Sequence, residues 1–321
     1  MALVTKEAEK DSARMASERP GISILGVPLA YGANMAGVDM GPAALRVARL
    51  QERIARLGYR VRDLGDMRVE PRPQLLPNAD DKAQYLNEIS LLCEELAVQV
   101  HEIMAAGDLP LILGGDHAIA IGSIAGVASY LRERSATLGI IWFDAHADMN
   151  TPETTPSGHI HGMPLSALLG YGASELTNTA GFSPKLDPRF CAHVGARDID
   201  PGERELIRKL DIRFFTMREI DERGMSACMD DAIAIASQAS GGYAVTFDVD
   251  VLDPGDAPGS GTLVRGGLTY RESHLAMEKI AEAGGMRSLE VVEINTALDV
   301  NNRTAELGVE LILSALGKTI L

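Results

Sequence analysis

Eight runs rich in apolar and β-branched residues recur along the chain, at 22–27, 59–64, 109–113, 138–143, 190–194, 212–217, 243–247 and 289–294. Stretches of helical period lie between most of them, at 43–57, 85–104, 203–210, 225–238 and 270–283, and an apolar-faced helix closes the chain over 305–316. Few folds accommodate that alternation. Parallel strands need long crossovers, and a helix supplies one while burying its apolar face against the sheet. The expectation is an α/β fold: a single-domain, three-layer arrangement with a mostly parallel sheet of about eight strands and helices on both faces. A length of 321 residues permits one large domain or two smaller ones. We read one, spanning 21–321, behind a flexible N-terminal tail over 1–20. Loops are expected at 70–81, 150–161 and 253–267, the last too long to be a mere connection and so a candidate functional loop.

Polar residues fall at one place in each unit. Gly114-Gly115-Asp116-His117 follows the third run, Asp144 the fourth, and Arg197 and Asp198 the fifth, while Asp248 and Asp250 close the seventh and Glu293 lies at the end of the eighth. Open α/β sheets bind ligands beyond the carboxyl ends of their strands, so this edge is the candidate site. Two strings stand out within it, Asp144-Ala145-His146-Ala147-Asp148 and Asp248-Val249-Asp250. Residues i and i+2 of an extended segment face the same way, so each string can aim its side chains at one point. Five such ligands would repel one another without cations. Carboxylates with a minority of imidazoles suit hard, Mn²⁺-like ions better than structural zinc, and a carboxylate has two oxygens with which to bridge a pair. A lone Asp-x-Asp is more often a turn. Here, however, four of the seven histidines, His117, His146, His159 and His161, lie in three short motifs with these strings. His101, His193 and His274 lie outside them and read as structural or surface residues.

Composition narrows the function classes. A net charge of −15 leaves no basic surface for a phosphate backbone, so nucleic acid is not an expected partner. It suits a soluble cytoplasmic protein and mildly favours a cationic substrate. Cys93, Cys191 and Cys228 are odd in number and lack ligand spacing, which points to packing residues in a reducing compartment. The first twenty residues have no apolar targeting core, and no apolar run approaches the ~18 residues of a membrane helix.

Four segments together resemble the arginases, of the manganese ureohydrolase superfamily. They are Gly114-Gly115-Asp116-His117; 143–152 continuing into Ser157-Gly158-His159-Ile160-His161-Gly162-Met163-Pro164; 195–203; and 247–254 with Gly261-Thr262 and 266–272. The similarity runs from about residue 22 to the C-terminus, and the second and third segments are those of the arginase branch. The resemblance implies two Mn²⁺ per chain, one held by His117, Asp144, Asp148 and Asp248 and the other by Asp144, His146, Asp248 and Asp250, with Asp144 and Asp248 bridging. It also implies that His161 shuttles protons and that Glu293 pairs with a guanidinium. Asn150, Ser157, His159, Asp200, Glu203 and Thr262 match positions that handle the amino-acid end of arginine, directly or through water. Arg271, Glu272 and Arg303 match subunit contacts, which implies a homotrimer or homohexamer. Three positions depart from the family pattern: His159 stands where Asn is usual, Leu263 where Pro is frequent, and Arg265 adds a charge. These touch substrate preference, not the metal ligands.

The expected reaction is hydrolysis of L-arginine to L-ornithine and urea. A guanidinium carbon is a poor electrophile, and two cations sharing one water lower its pKa enough to hold a hydroxide at neutral pH. Asp148 and His161 are the expected proton carriers. The alternative is a ureohydrolase for agmatine, guanidinobutyrate or a similar compound, which a panel of guanidines would separate. A catalytically silent binding protein would need neither His161 nor Glu293. A two-metal phosphatase would need a phosphate clamp, for which Arg197 is a weak candidate with Asp198 and Asp200 so close behind it.

Overall fold

The structure, a computed structural model, describes residues 20–70 and 81–319. The expected tail, apart from Pro20, and almost all of the 70–81 loop therefore lie outside the described residues. All eight expected strands form: β1 (Gly21–Val27), β2 (Val61–Asp66), β3 (Asp108–Gly114), β4 (Gly139–Phe143), β5 (Cys191–Val194), β6 (Arg213–Phe215), β7 (Tyr243–Asp248) and β8 (Met286–Val292). They build one sheet in the order β2-β1-β3-β8-β7-β4-β5-β6, with every neighbouring pair parallel.

Alternation along the strands splits the core into two layers. Ile22, Leu111, Ile141, Phe143, Val245, Phe247 and Leu289 pack on one face of the sheet, and Leu25, Ile112, Ile140, Trp142, Ala244 and Val292 on the other. Helices cover both, as a parallel sheet requires. Among the described residues no helix is long and apolar enough to cross a membrane, and Cys93, Cys191 and Cys228 are buried free thiols.

Three local expectations are corrected. The helix expected over 43–57 is two, Gly41–Val47 and Leu50–Ala55, because Arg49 takes a left-handed φ of 62° between them. The sixth strand stops at Phe215, since the Thr216 hydroxyl accepts from Glu219 N–H and starts a short helix, Met217–Arg223. A thirteen-residue helix, Ala120–Arg132, has no counterpart in the pattern. Nearly all its residues are buried, so no 3.6-residue stripe marks it, and its glycines allow a close approach to the helix Leu86–Ala105. A Cβ at Gly126 would lie 2.5 Å from the Ala97 carbonyl oxygen.

The strand order gives the placement of the site. The five strands whose ends carry the polar motifs become five consecutive central strands, β3-β8-β7-β4-β5. Residues nearly two hundred apart in sequence thereby meet at one edge.

Candidate metal centre and substrate cavity

His117 enters the site one turn beyond β3, in a short 3₁₀ helix that Asp116 caps by accepting from Ala118 N–H. Its Nδ1 lies 3.2 Å from Asp144 Oδ2, 3.0 Å from Asp148 Oδ2 and 3.3 Å from Asp248 Oδ2. Its ring stacks on Trp142 at 4.5 Å, and Nε2 lies 2.9 Å from the Thr246 hydroxyl. That contact occupies Nε2 and leaves Nδ1 to the carboxylates. His146 Nδ1 lies 3.4 Å from Asp144 Oδ1 and 3.0 Å from Asp250 Oδ2. Asp144 thus faces both imidazoles, one with each oxygen. Asp248 approaches His117 with Oδ2 while its Oδ1 accepts from Asp250 N–H at 2.8 Å.

These side chains fit a pair of cations. His117, Asp144 and Asp148 form one group close enough to ligate an ion, and Asp144, His146 and Asp250 another. His117 Nδ1 and Asp148 Oδ2 are buried yet have no hydrogen-bond partner, which is costly for groups that strong unless something else is bound there. The electrostatics agree. Burial and the charges of Asp250 and Asp144 push the Asp248 carboxyl well up, and burial with the charge of Asp144 lifts Asp148 to about 8. Asp144 goes the other way: burial opposes its ionisation, but the His117 and His146 imidazoles beside its two oxygens hold it well below the usual range. Both imidazoles, although buried, are pushed up by the carboxylates around them. Left to itself the cluster must retain protons among its own ligands, and cations can replace them. Two residues of the site also take left-handed backbone conformations. Asp148 has a φ of 53° and Glu293 a φ of 64°, each costing on the order of 1–3 kcal/mol.

Above the cluster opens a cavity of about 170 Å³. Asn150, Ser157, His159, Asp200, Glu203 and Thr262, the residues expected to handle an amino acid, all line it, together with His161, Asp148 and Asp248. Asn150 Nδ2 donates to Asp200 Oδ2 at 2.9 Å, tying the 150–161 loop to the helix Pro201–Leu210. Asp200 caps that helix and Glu203 closes the capping box. Glu203 Oε1 also accepts from Met149 N–H, and burial lifts its carboxyl to about 7. Ser157 accepts from His159 N–H, and the His159 and His161 rings meet edge to face at 6.0 Å. Thr262 hydroxyl donates to Asp250 Oδ2 at 2.9 Å, so it reaches the acidic cluster as well as the cavity.

Glu293 sits differently. It is 1 % exposed, and its Oε1 accepts from His117 N–H at 2.9 Å and lies 3.0 Å from His161 Nδ1. It lies beneath the cavity wall, behind His161. Burial alone would depress the His161 imidazole, but the hydrogen bond and charge of Glu293, with Asp116 and Asp148 nearby, raise it to about 9.

Several residues of the site carry no sequence signal strong enough to single them out. Thr155 lines the cavity, as does Asp198, which its place after the fifth run already puts at this edge. Trp142 and Thr246 brace His117, and each precedes a ligand aspartate by two residues on its strand. Arg197 is not a phosphate clamp, because its guanidinium is taken up by main-chain carbonyls. Arg271, Glu272 and Arg303, matched to subunit contacts, make local bonds within the chain. Glu272 closes the cap of the helix Tyr270–Ala283, Arg271 lies 3.6 Å from Glu278, and Arg303 donates to the Gly255 carbonyl.

The Arginase family model matches residues 20–317. The arginase of Bacillus caldovelox is 47% identical over 94% of this chain and 99% of its own length. Its solved structure superposes with a TM-score of 0.90, covering 94% of this chain and 100% of that one. The arginase structure from Bacillus cereus is 48% identical, with a TM-score of 0.88 and coverage of 94% and 100%. An Entamoeba histolytica arginase solved in complex with L-ornithine is 30% identical, with a TM-score of 0.86 and coverage of 93% and 99%.

Proposed function

Because this chain belongs to the arginase family, we propose that it hydrolyses L-arginine to L-ornithine and urea, using two Mn²⁺ per chain. The observation that carries this reading is His117 Nδ1. It is a buried nitrogen aimed at three carboxylates, without a hydrogen bond of its own, at the floor of a cavity whose walls suit an amino acid. His117, Asp144, Asp148 and Asp248 would hold one ion, and Asp144, His146, Asp248 and Asp250 the other. When bound, the ions supply a nucleophile at neutral pH by lowering the pKa of a shared water.

The rest of the chemistry falls to the protein. Asp148 Oδ2, having no hydrogen bond of its own, takes the nucleophile's proton and returns it to the leaving δ-amine as its bond to the guanidinium carbon breaks, releasing ornithine and urea. His161 lines the cavity and carries protons to solvent, held in position by Glu293. Glu293, buried behind His161, supplies negative charge beneath the cavity toward which the guanidinium is drawn. Asp200 and Glu203 receive the α-ammonium, while Asn150, Ser157 and His159 on the facing loop bind the α-carboxylate, directly or through water. Thr262 closes the cavity over Asp250. The assembly is a homotrimer or a homohexamer, and the compartment cytoplasmic.

Urea release by Mn²⁺-loaded protein from L-arginine, agmatine and guanidinobutyrate tests the substrate. We expect arginine to be preferred over agmatine by at least about one to two powers of ten in kcat/KM, the worth of one charge-assisted hydrogen bond. Equal use of agmatine or guanidinobutyrate would transfer the activity to another guanidino compound.

A further inference from the structure

Beneath the His146 side of the centre, Arg197 spends its charge in an unusual way. Among the described residues no carboxylate lies within ion-pair distance of its guanidinium. Nη2 donates to the carbonyls of Asp250 at 2.7 Å, Val264 at 2.7 Å and Leu252 at 3.3 Å. Nη1 donates to Val251 at 3.1 Å and Gly195 at 3.3 Å, and Nε to Val264 at 3.3 Å. Its own N–H donates to the Ala145 carbonyl at 2.8 Å. One residue therefore ties together the loop after β4 that carries Asp144 and His146, the turn after β7 that carries Asp250, and the 253–267 loop that carries Thr262.

The consequence converges on Asp250. Its Oδ1 accepts from Ala145 N–H at 3.1 Å and its Oδ2 from the Thr262 hydroxyl at 2.9 Å, while the latter oxygen also faces His146. Each of those partners belongs to a segment that Arg197 holds. Gly195 makes the close approach possible, with a φ of 100° and a position where a Cβ would lie 2.3 Å from Val251 Cγ2. The His117 side has a different support, namely Trp142 and Thr246 in the strands themselves.

We propose that Arg197 is a positioning residue for the His146-side metal site, holding three loops in register so that Asp250 presents a fixed oxygen to the ion, and that this side depends on it while the His117 side does not. The proposal rests on the two-ion reading above. The main-chain N–H holds the first of these loops, and the guanidinium joins the other two because its planar fork offers five donors in fixed directions, which the three donors of an ammonium on a flexible stem cannot reproduce.

Mn²⁺ titration followed by calorimetry tests the proposal, with circular dichroism on each metal-free variant. Wild type should take up two ions, and failure to do so would overturn the two-ion reading itself. With that reading intact, Arg197→Lys should keep one ion at wild-type affinity and bind the other about 10- to 100-fold more weakly, the usual effect of losing an outer support. Its activity should return as Mn²⁺ is raised, with little change in KM for arginine. Two ions bound as in wild type would overturn the positioning role, as would equal weakening of both, which marks a general structural defect. Should Arg197→Lys fail to fold, Thr262→Val probes the same linkage from its far end. That variant removes one hydroxyl from Asp250 and should weaken the same single ion, and unaltered binding of both ions would refute the proposal.

Discussion

The two halves of the centre are built from different material. On one side His117 is 1 % exposed, stacked on a strand tryptophan and bonded to a strand threonine, with Asp144 and Asp148 as buried neighbours. On the other, the side chain of His146 is 28 % exposed, and its partner Asp250 is steadied by loop groups, the Thr262 hydroxyl and the Ala145 amide. The first half inherits the rigidity of the sheet, and the second depends on bonds between loops. A close-packed sheet has little freedom to relax, whereas a loop loses order when a few bonds are removed. The His146-side ion should therefore exchange faster and be lost first to a chelator.

Removing what both halves share should have the largest effect. Asp144→Ala takes a carboxylate from both imidazoles and should cost both ions and about three powers of ten or more in kcat. Asp248→Ala should do the same if Asp248 bridges, and two ions retained after dialysis would show that it does not. His117→Asn should mainly weaken one site.

His161→Ala comes next, with a loss of about 10²- to 10⁴-fold in kcat and a smaller change in KM. An unchanged kcat would remove His161 from proton transfer. Its raised pKa gives a separate check by NMR titration of the metal-free protein. The pair with Glu293 favours protonated His161, so the stability it adds is fully present below 6.5 and lost as pH rises through about 9. Wild-type His161 should titrate near 9, and Glu293→Gln should bring it back toward the ordinary histidine range. A relay that needs the neutral imidazole gains with pH, so activity should rise into the alkaline range.

Thr246→Val sharpens the contrast between the halves. It removes the support of His117 Nε2 within the core and should lower affinity for the His117-side ion by about 10- to 100-fold, leaving the other ion in place. Loss of the His146-side ion instead would reverse the assignment of supports.

The smallest effects belong to the cavity rim. Asp200→Ala should raise KM for arginine by about one to two powers of ten, since a charge-assisted bond to the α-ammonium and the tie to Asn150 go together. His159→Asn should keep or improve arginine use, measured as kcat/KM. A marked fall there would make His159 a required contact of this chain.

Much of this is legible in the sequence. Eight strands were marked by runs such as 138–143 and 243–247 because strands buried on both faces are apolar throughout. The ligand strings were marked by residue type and spacing, but not by a shared strand face: β4 ends at Phe143, Asp148 takes a left-handed φ of 53°, and Asp250 lies in the 3₁₀ helix Val249–Val251. The helix Ala120–Arg132 escaped because burial all round erases the amphipathic period, and the break at Arg49 because a left-handed residue other than glycine leaves no compositional mark.

The sequence by itself determined the eight strands, the ligand types and the edge at which they gather, since these follow from local periodicity and side-chain chemistry. Only the tertiary structure decided that β8 and β7 lie between β3 and β4, which brings Glu293 against His117 and His161. Only it showed that Arg197 points into carbonyls rather than into the cavity, and that Thr246 and Trp142 brace one imidazole and not the other. Such relations are set by which strands pair and how loops pack across them, and residues so far apart in the chain carry no local record of either.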